Sequence, residues 1–199
     1  MIGAVILAGG QSRRSGRIHK ACRLLPGERR SWLDRQIDAL RAAGIIRIVL
    51  VLGYRPRRVL TCLHRNVSVV SNPNPERGAF AALQSGLASG RGDRLIVPLD
   101  TPLPNAMRLR QLIKALHGVD AALPTDRRGR GSHPVALTDG YAQGLRAIAP
   151  TGPDARLDRQ LHALSPQHCR RLRLYASSQR HNLNTPRAWR AYLNRRRGL

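Results

Sequence analysis

Aromatic side chains are scarce in this chain of 199 residues, with Phe, Trp and Tyr together making up 4% of it. Proteins that bind single-stranded nucleic acid stack bases on aromatic platforms, so the sequence gives that class little support. Lysine is nearly absent as well: all but Lys20 and Lys114 of the 35 basic residues are arginine. Acidic residues number only 11, which leaves a net charge of +24 and a pI near 11.9. Such a field attracts polyanions in a salt-dependent way. Because the basic residues are spread along the whole chain, we read a solvated, arginine-biased surface, with a nucleic-acid-binding face as the alternative not favoured.

Cysteine is also sparse. Cys22, Cys62 and Cys169 are far apart, a pattern that fits neither a disulfide framework nor the paired spacing of a zinc site, and the expectation is free thiols in a reducing cytoplasm. No run approaches the roughly 20 apolar residues that span a bilayer. The apolar start Met1–Leu7 has no basic residue before it and leads into Gly9-Gly10 rather than a cleavage site, so it reads as a strand and no membrane partner is expected.

The hydrophobic fraction of 42% and charged fraction of 23% are those of a folded protein, and the length suits one domain over residues 1–199. Short runs of Val, Ile and Leu alternate with helical patterns, as a mostly parallel sheet covered on both faces requires. The strands expected are Gly3–Ala8, Ile46–Leu52, Val67–Ser71, Arg94–Pro98, Ala121–Pro124 and Leu172–Tyr175. The helices expected are Ser31–Ala43, Arg55–Leu63, Ala79–Ser89, Asn105–His117, Tyr141–Ala149, Arg156–Leu164 and Arg187–Arg196. Asp126 to Ser132, dense in glycine and arginine, reads as a flexible loop.

The first strand ends in Leu7-Ala8-Gly9-Gly10-Gln11-Ser12-Arg13-Arg14-Ser15-Gly16, with Lys20 following. Its glycines let backbone approach a ligand, consecutive amides of such a turn point at phosphate oxygens, and Arg14 and Lys20 supply countercharge. The segment lacks the Gly-Lys-Ser/Thr ending of a P-loop and the glycine spacing of a dinucleotide fingerprint. Asp100 follows the apolar run Leu95–Leu99, where strand ends line the ligand crevice of an α/β sheet. A carboxylate there can hold Mg²⁺ with phosphate and water completing the shell, or cap a turn before Pro102, and the residues alone leave both open. Asn72 is by itself a turn former, and His133 a hydrogen-bonded structural histidine. Asn182 and Asn184 alternate along an extended segment and point the same way. No covalent nucleophile stands out.

The segment Leu7 to Gly16 with Lys20 resembles the Leu-Ala-Gly-Gly-x-Ser-x-Arg-Met-Gly…Lys motif of the nucleotidyltransferases that act on molybdenum cofactor, and of their relatives acting on sugar phosphates and phosphocholine. Further blocks follow in order: Asn72–Gly78, Pro98–Pro102, Gly131–Val135 and Asn182–Pro186. The resemblance implies a three-layer α/β/α Rossmann-like fold with a mostly parallel central sheet. It implies Mg²⁺-dependent transfer of a nucleoside monophosphate from CTP or GTP to a phosphorylated acceptor, molybdopterin above all. A molybdoenzyme or another protein of cofactor biosynthesis is the partner it suggests. It assigns nucleotide contacts to Leu7, Ala8, Gly9, Gly10, Ser12, Arg14, Lys20, Asn72, Gly78 and Asp100, with Lys20, Arg14 and Asp100 catalytic. Metal ligation falls to Asp100 and Asn184, and the acceptor lies beside His133 and Pro134. Departures are Ser15 in place of Met and Ala81-Ala82 where serines are common. The gap from Gly16 to Lys20 equals that of guanylyl-transferring members, whereas Val51–Tyr54 looks more like the cytidylyl branch.

Overall fold

A computed structural model of the chain describes residues 2–12, 14, 18–174 and 182–196. Seven strands form one sheet: β1 (Gly3–Leu7), β2 (Ile48–Leu52), β3 (Ser68–Ser71), β4 (Arg94–Pro98), β5 (Ala121–Thr125), β6 (Val135–Leu137) and β7 (Cys169–Arg173). The order across the sheet is β3-β2-β1-β4-β6-β5-β7. Every pairing is parallel except the two made by β6, which runs antiparallel to both β4 and β5.

The helices are α1 (Trp32–Ala42), α2 (Pro56–Leu60), α3 (Gly78–Ala88), α4 (Ala106–Lys114), α5 (Asp139–Ala147), α6 (Leu157–Ala163) and α7 (Pro186–Arg196). They divide between the faces because neighbouring strand residues point opposite ways. Ala4 and Ile6 of β1 enter one core with Leu33, Ile37 and Leu40 of α1, Leu109 and Leu112 of α4 and Trp189 of α7. Val5 enters the other, with Phe80 and Leu83 of α3, Leu145 of α5 and Leu161 of α6. Both faces of β1 and β4 are therefore dry, which explains their unbroken apolar runs. Gly86 lets α3 settle onto the sheet, since a Cβ there would collide with Val5 and Val51.

The helix starts follow local chemistry. The hydroxyl of Ser31 accepts from the Asp34 amide, the Asn105 side chain from the Arg108 amide and Thr138 from the Tyr141 amide, each filling an amide left open by the first turn.

Three sequence expectations change. Strand β6 was not foreseen. Strand β7 begins at Cys169 and ends at Arg173, earlier than the expected Leu172–Tyr175, of which Tyr175 lies outside the described residues. Cys22 and Cys62 form a disulfide with Cα atoms 5.2 Å apart, leaving Cys169 free and buried. Among the described residues no helix is long and apolar enough to cross a membrane.

Candidate active site

The parallel strands deliver their carboxyl ends to one edge of the sheet, and a cavity of about 1280 Å³ opens there. That volume exceeds the range usual for one small ligand and suits two substrates side by side. One wall is the turn after β1. Leu7, Gly9 and Gly10 line it, while Tyr54 donates its backbone N–H to the Gly9 carbonyl at 3.1 Å and so pins the turn to the end of β2. Ala8 faces the core instead, 0% exposed, with its amide bonded to the Val51 carbonyl. Ser12 adopts a left-handed backbone conformation, φ 56°, and its hydroxyl accepts from the Lys20 amide at 3.3 Å. Arg14 is exposed and does not line the cavity.

Lys20 opens a single 3₁₀ turn, Lys20–Cys22, that returns the chain to the cavity. Its Nζ lies 3.6 Å from Asp100 Oδ2 and donates to Asn184 Oδ1 at 3.2 Å. Lysine and aspartate side chains are only 12% and 14% exposed, so the pair works in a medium where charge interactions are stronger than in water. Asp100 lines the cavity, whereas Asn184 stands behind Lys20 and outside the lining.

The backbone at Asp100 is held from behind. The Trp32 indole donates to the Leu99 carbonyl at 2.6 Å and the Gln36 amide to the Thr101 carbonyl at 2.9 Å. The Leu183 N–H completes the set with a 2.7 Å bond to the Asp100 carbonyl. Trp32 in turn meets Trp189 and Tyr192 edge-on, with ring centroids 5.2 and 5.7 Å away. These three aromatic rings thus brace the aspartate segment. Nothing in the sequence nominated Trp32, Gln36 or Leu183, because each acts through a backbone bond to a residue distant in the chain.

Asn72 and Gly78 form a second wall. The Asn72 side-chain oxygen accepts from the Asn74 amide at 3.1 Å, so the residue is a turn former and a lining residue together. Gly78, at φ 87°, begins α3 in a conformation that disfavours any side chain. The third wall is the segment from Arg128 to His133 after β5. Expected to be flexible, it is built around buried Asp126, which accepts from the Arg128 and Arg130 amides at 2.9 and 3.0 Å and from the Arg130 guanidinium at 3.0 Å. His133 lines the cavity, and Pro134 after it is buried outside the lining. Burial pushes the His133 pKa down, against the opposing pull of Asp100 and Asp158, so the ring is held neutral.

Around the whole cavity stand six cationic side chains against three carboxylates, a surplus suited to a triphosphate and a second anion. For a metal ion the donors present are the hard oxygens of Asp100 and Asn184, which already converge on one cationic nitrogen. One carboxylate and one amide oxygen meet the modest protein share of a Mg²⁺ shell. Among the described residues no group of three or more His, Cys, Asp or Glu gathers elsewhere for a metal.

A glycine turn beside a paired lysine and aspartate at the carboxyl edge of a Rossmann-like sheet is the arrangement of the nucleotidyltransferase class. A family model described as the MobA-like NTP transferase domain matches residues 4–164, and the chain belongs to that family. A probable molybdenum cofactor guanylyltransferase of Opitutus terrae is 30% identical over 160 residues, covering 80% of this chain and 72% of its own. A nucleotidyl transferase from Methanothermobacter superposes with a TM-score of 0.80 at 20% identity, over 98% of this chain and 97% of the other. A Mycobacterium tuberculosis protein solved as a complex with manganese gives a TM-score of 0.73 at 19% identity, with 97% of each chain covered.

Proposed function

We propose that the protein transfers GMP from GTP to molybdopterin or its molybdenum form, releasing pyrophosphate, with Mg²⁺ as cofactor. The observation that carries the reading is the convergence of Lys20 on Asp100 and Asn184 beside the cavity-lining glycines Gly9 and Gly10. The base and the acceptor follow the Opitutus relative, and the gap from Gly16 to Lys20 supports the guanylyl choice. A divalent ion agrees with the oxygen donors and with the manganese complex of the mycobacterial neighbour.

In this reading the Gly9 and Gly10 amides and Lys20 hold the triphosphate, and His133 faces the acceptor across the cavity. An acceptor phosphate oxygen attacks the α-phosphorus, a new P–O bond forms and the bond to the leaving pyrophosphate breaks. The chemistry is mostly positioning and charge neutralisation, so no covalent residue is required. Lys20 neutralises charge growing on the phosphates, and Asp100 with Asn184 would hold the metal, which supplies Lewis-acid stabilisation when bound. Asn72 and Gly78 shape the nucleotide side. Arg14 is exposed and off the lining, and Ser12 acts through the Lys20 amide. Such NTP-consuming chemistry belongs in the cytoplasm, where a molybdoenzyme would take up the product.

The test is pyrophosphate release from each NTP in the presence of Mg²⁺ and candidate acceptors. GTP with molybdopterin should react. Reaction only with CTP, or only with a sugar phosphate or phosphocholine, would replace the base or the acceptor, and no release from any pair would end the transferase reading.

A further inference from the structure

Lys20 sits on a turn too short to hold itself in place. The 3₁₀ turn Lys20–Cys22 closes with Cys22 N–H donating to the His19 carbonyl at 2.9 Å. A single turn fixes several backbone torsions for very few bonds, so its geometry depends on what ties down its open amides. The Lys20 amide goes to the Ser12 hydroxyl. The Ala21 amide goes to the Nδ1 of His19, at 3.2 Å.

His19 is an unusual residue for that duty, which ordinarily falls to Ser, Thr, Asp or Asn. An imidazole accepts a hydrogen bond only at an unprotonated nitrogen, so Nδ1 is bare and the ring proton is on Nε2. The ring is 8% exposed, and Nε2 is buried with no hydrogen-bond partner of good geometry among the described residues. The same ring lies against the Gly10 backbone, whose interaction with it favours the protonated form. The imidazole thus spans the space between the glycine turn and the Lys20 turn, touching both walls of the phosphate end of the cavity without lining it.

We propose that His19 is a positioning residue: its neutral ring, wedged between Gly10 and the Ala21 amide, sets the turn that aims Lys20 at Asp100 and Asn184. The consequence for transfer rests on the nucleotidyltransferase reading, while the consequence for anion binding does not. The charged groups around the ring agree with a neutral clamp. Burial disfavours the charged form first, and then Lys20, Arg58 and Arg55 repel a second proton, with only the Gly10 backbone acting the other way. When acid does place a proton on Nδ1, the acceptor for the Ala21 amide is lost, two donors face each other and the turn is released. Phosphate affinity should therefore weaken on the acid side of neutrality.

The experiment measures affinity for inorganic triphosphate by calorimetry, with thermal midpoints recorded for every variant. His19→Asn offers an oxygen that can cap the Ala21 amide and does not titrate, whereas His19→Leu fills space without an acceptor. We expect His19→Leu to bind triphosphate about fivefold more weakly, the size of effect that a lost cap of roughly 1 kcal/mol produces. Added to Lys20→Ala, the same substitution should cost nothing further, because it acts through the lysine. His19→Asn should match the wild type near neutral pH. As the pH falls below the ordinary histidine value of 6.5 and reaches the depressed value of the buried ring, the wild type should lose affinity faster than His19→Asn, and comparing the two removes the titration of the ligand itself. The proposal is overturned if folded His19→Leu binds as the wild type does, if its loss adds in full to that of Lys20→Ala, or if His19→Asn keeps the wild-type acid limb. Should His19→Leu fail to fold, the acid limb of His19→Asn decides alone. Absence of pyrophosphate release from any NTP would remove the transferase reading and leave this affinity test standing.

Discussion

A Cβ placed on Gly53 would fall 2.6 Å from the carbonyl oxygen of Gly9, so the turn after β2 and the turn after β1 touch through backbone alone. No side chain fits that gap, and because the obstructing atom is backbone the neighbour cannot swing aside. Gly53→Ala should push the glycine turn out of place, with a cost of roughly 1 to 3 kcal/mol from overpacking. Thermal denaturation together with affinity for the nucleotide of our reading, GTP, will check this: both should fall, and loss of stability with unchanged affinity would show that the turn does not need its present position.

Removing the central carboxylate should separate catalysis from folding. Asp100 is held by its backbone carbonyl and by the braces at Leu99 and Thr101, none of which involves its side chain. We expect Asp100→Ala to fold with a near-normal thermal midpoint and to release pyrophosphate at least 100-fold more slowly, in line with losing one electrostatic element of a preorganised site. Activity within a few-fold of the wild type would contradict its role.

The loop bearing Arg128 and Arg130 depends on one buried carboxylate. Asp126→Ala leaves two amides and a guanidinium without their acceptor, and should cost about 1 to 3 kcal/mol. Since the loop faces the acceptor side in our reading, KM for the acceptor should rise more than KM for the nucleotide.

Asp38 on α1 gives a pH signature away from the cavity. Its carboxylate takes Arg65 Nε and Nη2 at 2.7 and 3.0 Å and Arg30 Nη1 at 3.2 Å. The Arg65 hydrogen bonds hold its pKa below the ordinary 3.8, against a smaller opposing effect of burial. With the folded value depressed, the stabilisation is fully present above pH 3.8 and is lost as pH falls through the folded value. Asp38→Asn should therefore melt below the wild type at neutral pH, and the difference should close in strong acid. A gap that persists there would mean the pair is not its source.

The Cys22–Cys62 bond closes a loop of 40 residues in sequence separation. A dithiol reductant should raise the count of titratable thiols in the unfolded chain from one to three and lower stability by about 2 to 4 kcal/mol. Equal thermal midpoints with and without reductant would deny the bond any stabilising part.

What could be read from the chain divides along physical lines. Strand β4 (Arg94–Pro98) was placed residue for residue because its centre, Leu95–Val97, is dry on both faces and must be apolar. The meeting of the glycine turn, Lys20 and Asp100 at one cavity was legible because the glycine turn, which leads on to Lys20, and Asp100 each follow a strand whose carboxyl end lies on the same edge of the sheet. Strand β6 was not, since three residues carry no period and its direction is a property of the sheet. The disulfide was missed because sequence separation says nothing about distance in space. His19 escaped notice for a different reason: its work is done by one ring nitrogen toward a backbone amide, which leaves no pattern in the sequence. Arg14, a cation in the same segment, is exposed and off the cavity lining.

The reversal of β6 has a geometric consequence. In a parallel sheet, residues that enter a strand lie at the far edge from those that leave one, so His133, which enters β6, would ordinarily be a sheet's width away from Asp100, which follows β4. Turning one strand over carries that entry point across to the reactive rim. A single inverted element thus lets one crevice draw on chain segments from both before and after its strands, and brings His133 and Asp100 to a common floor.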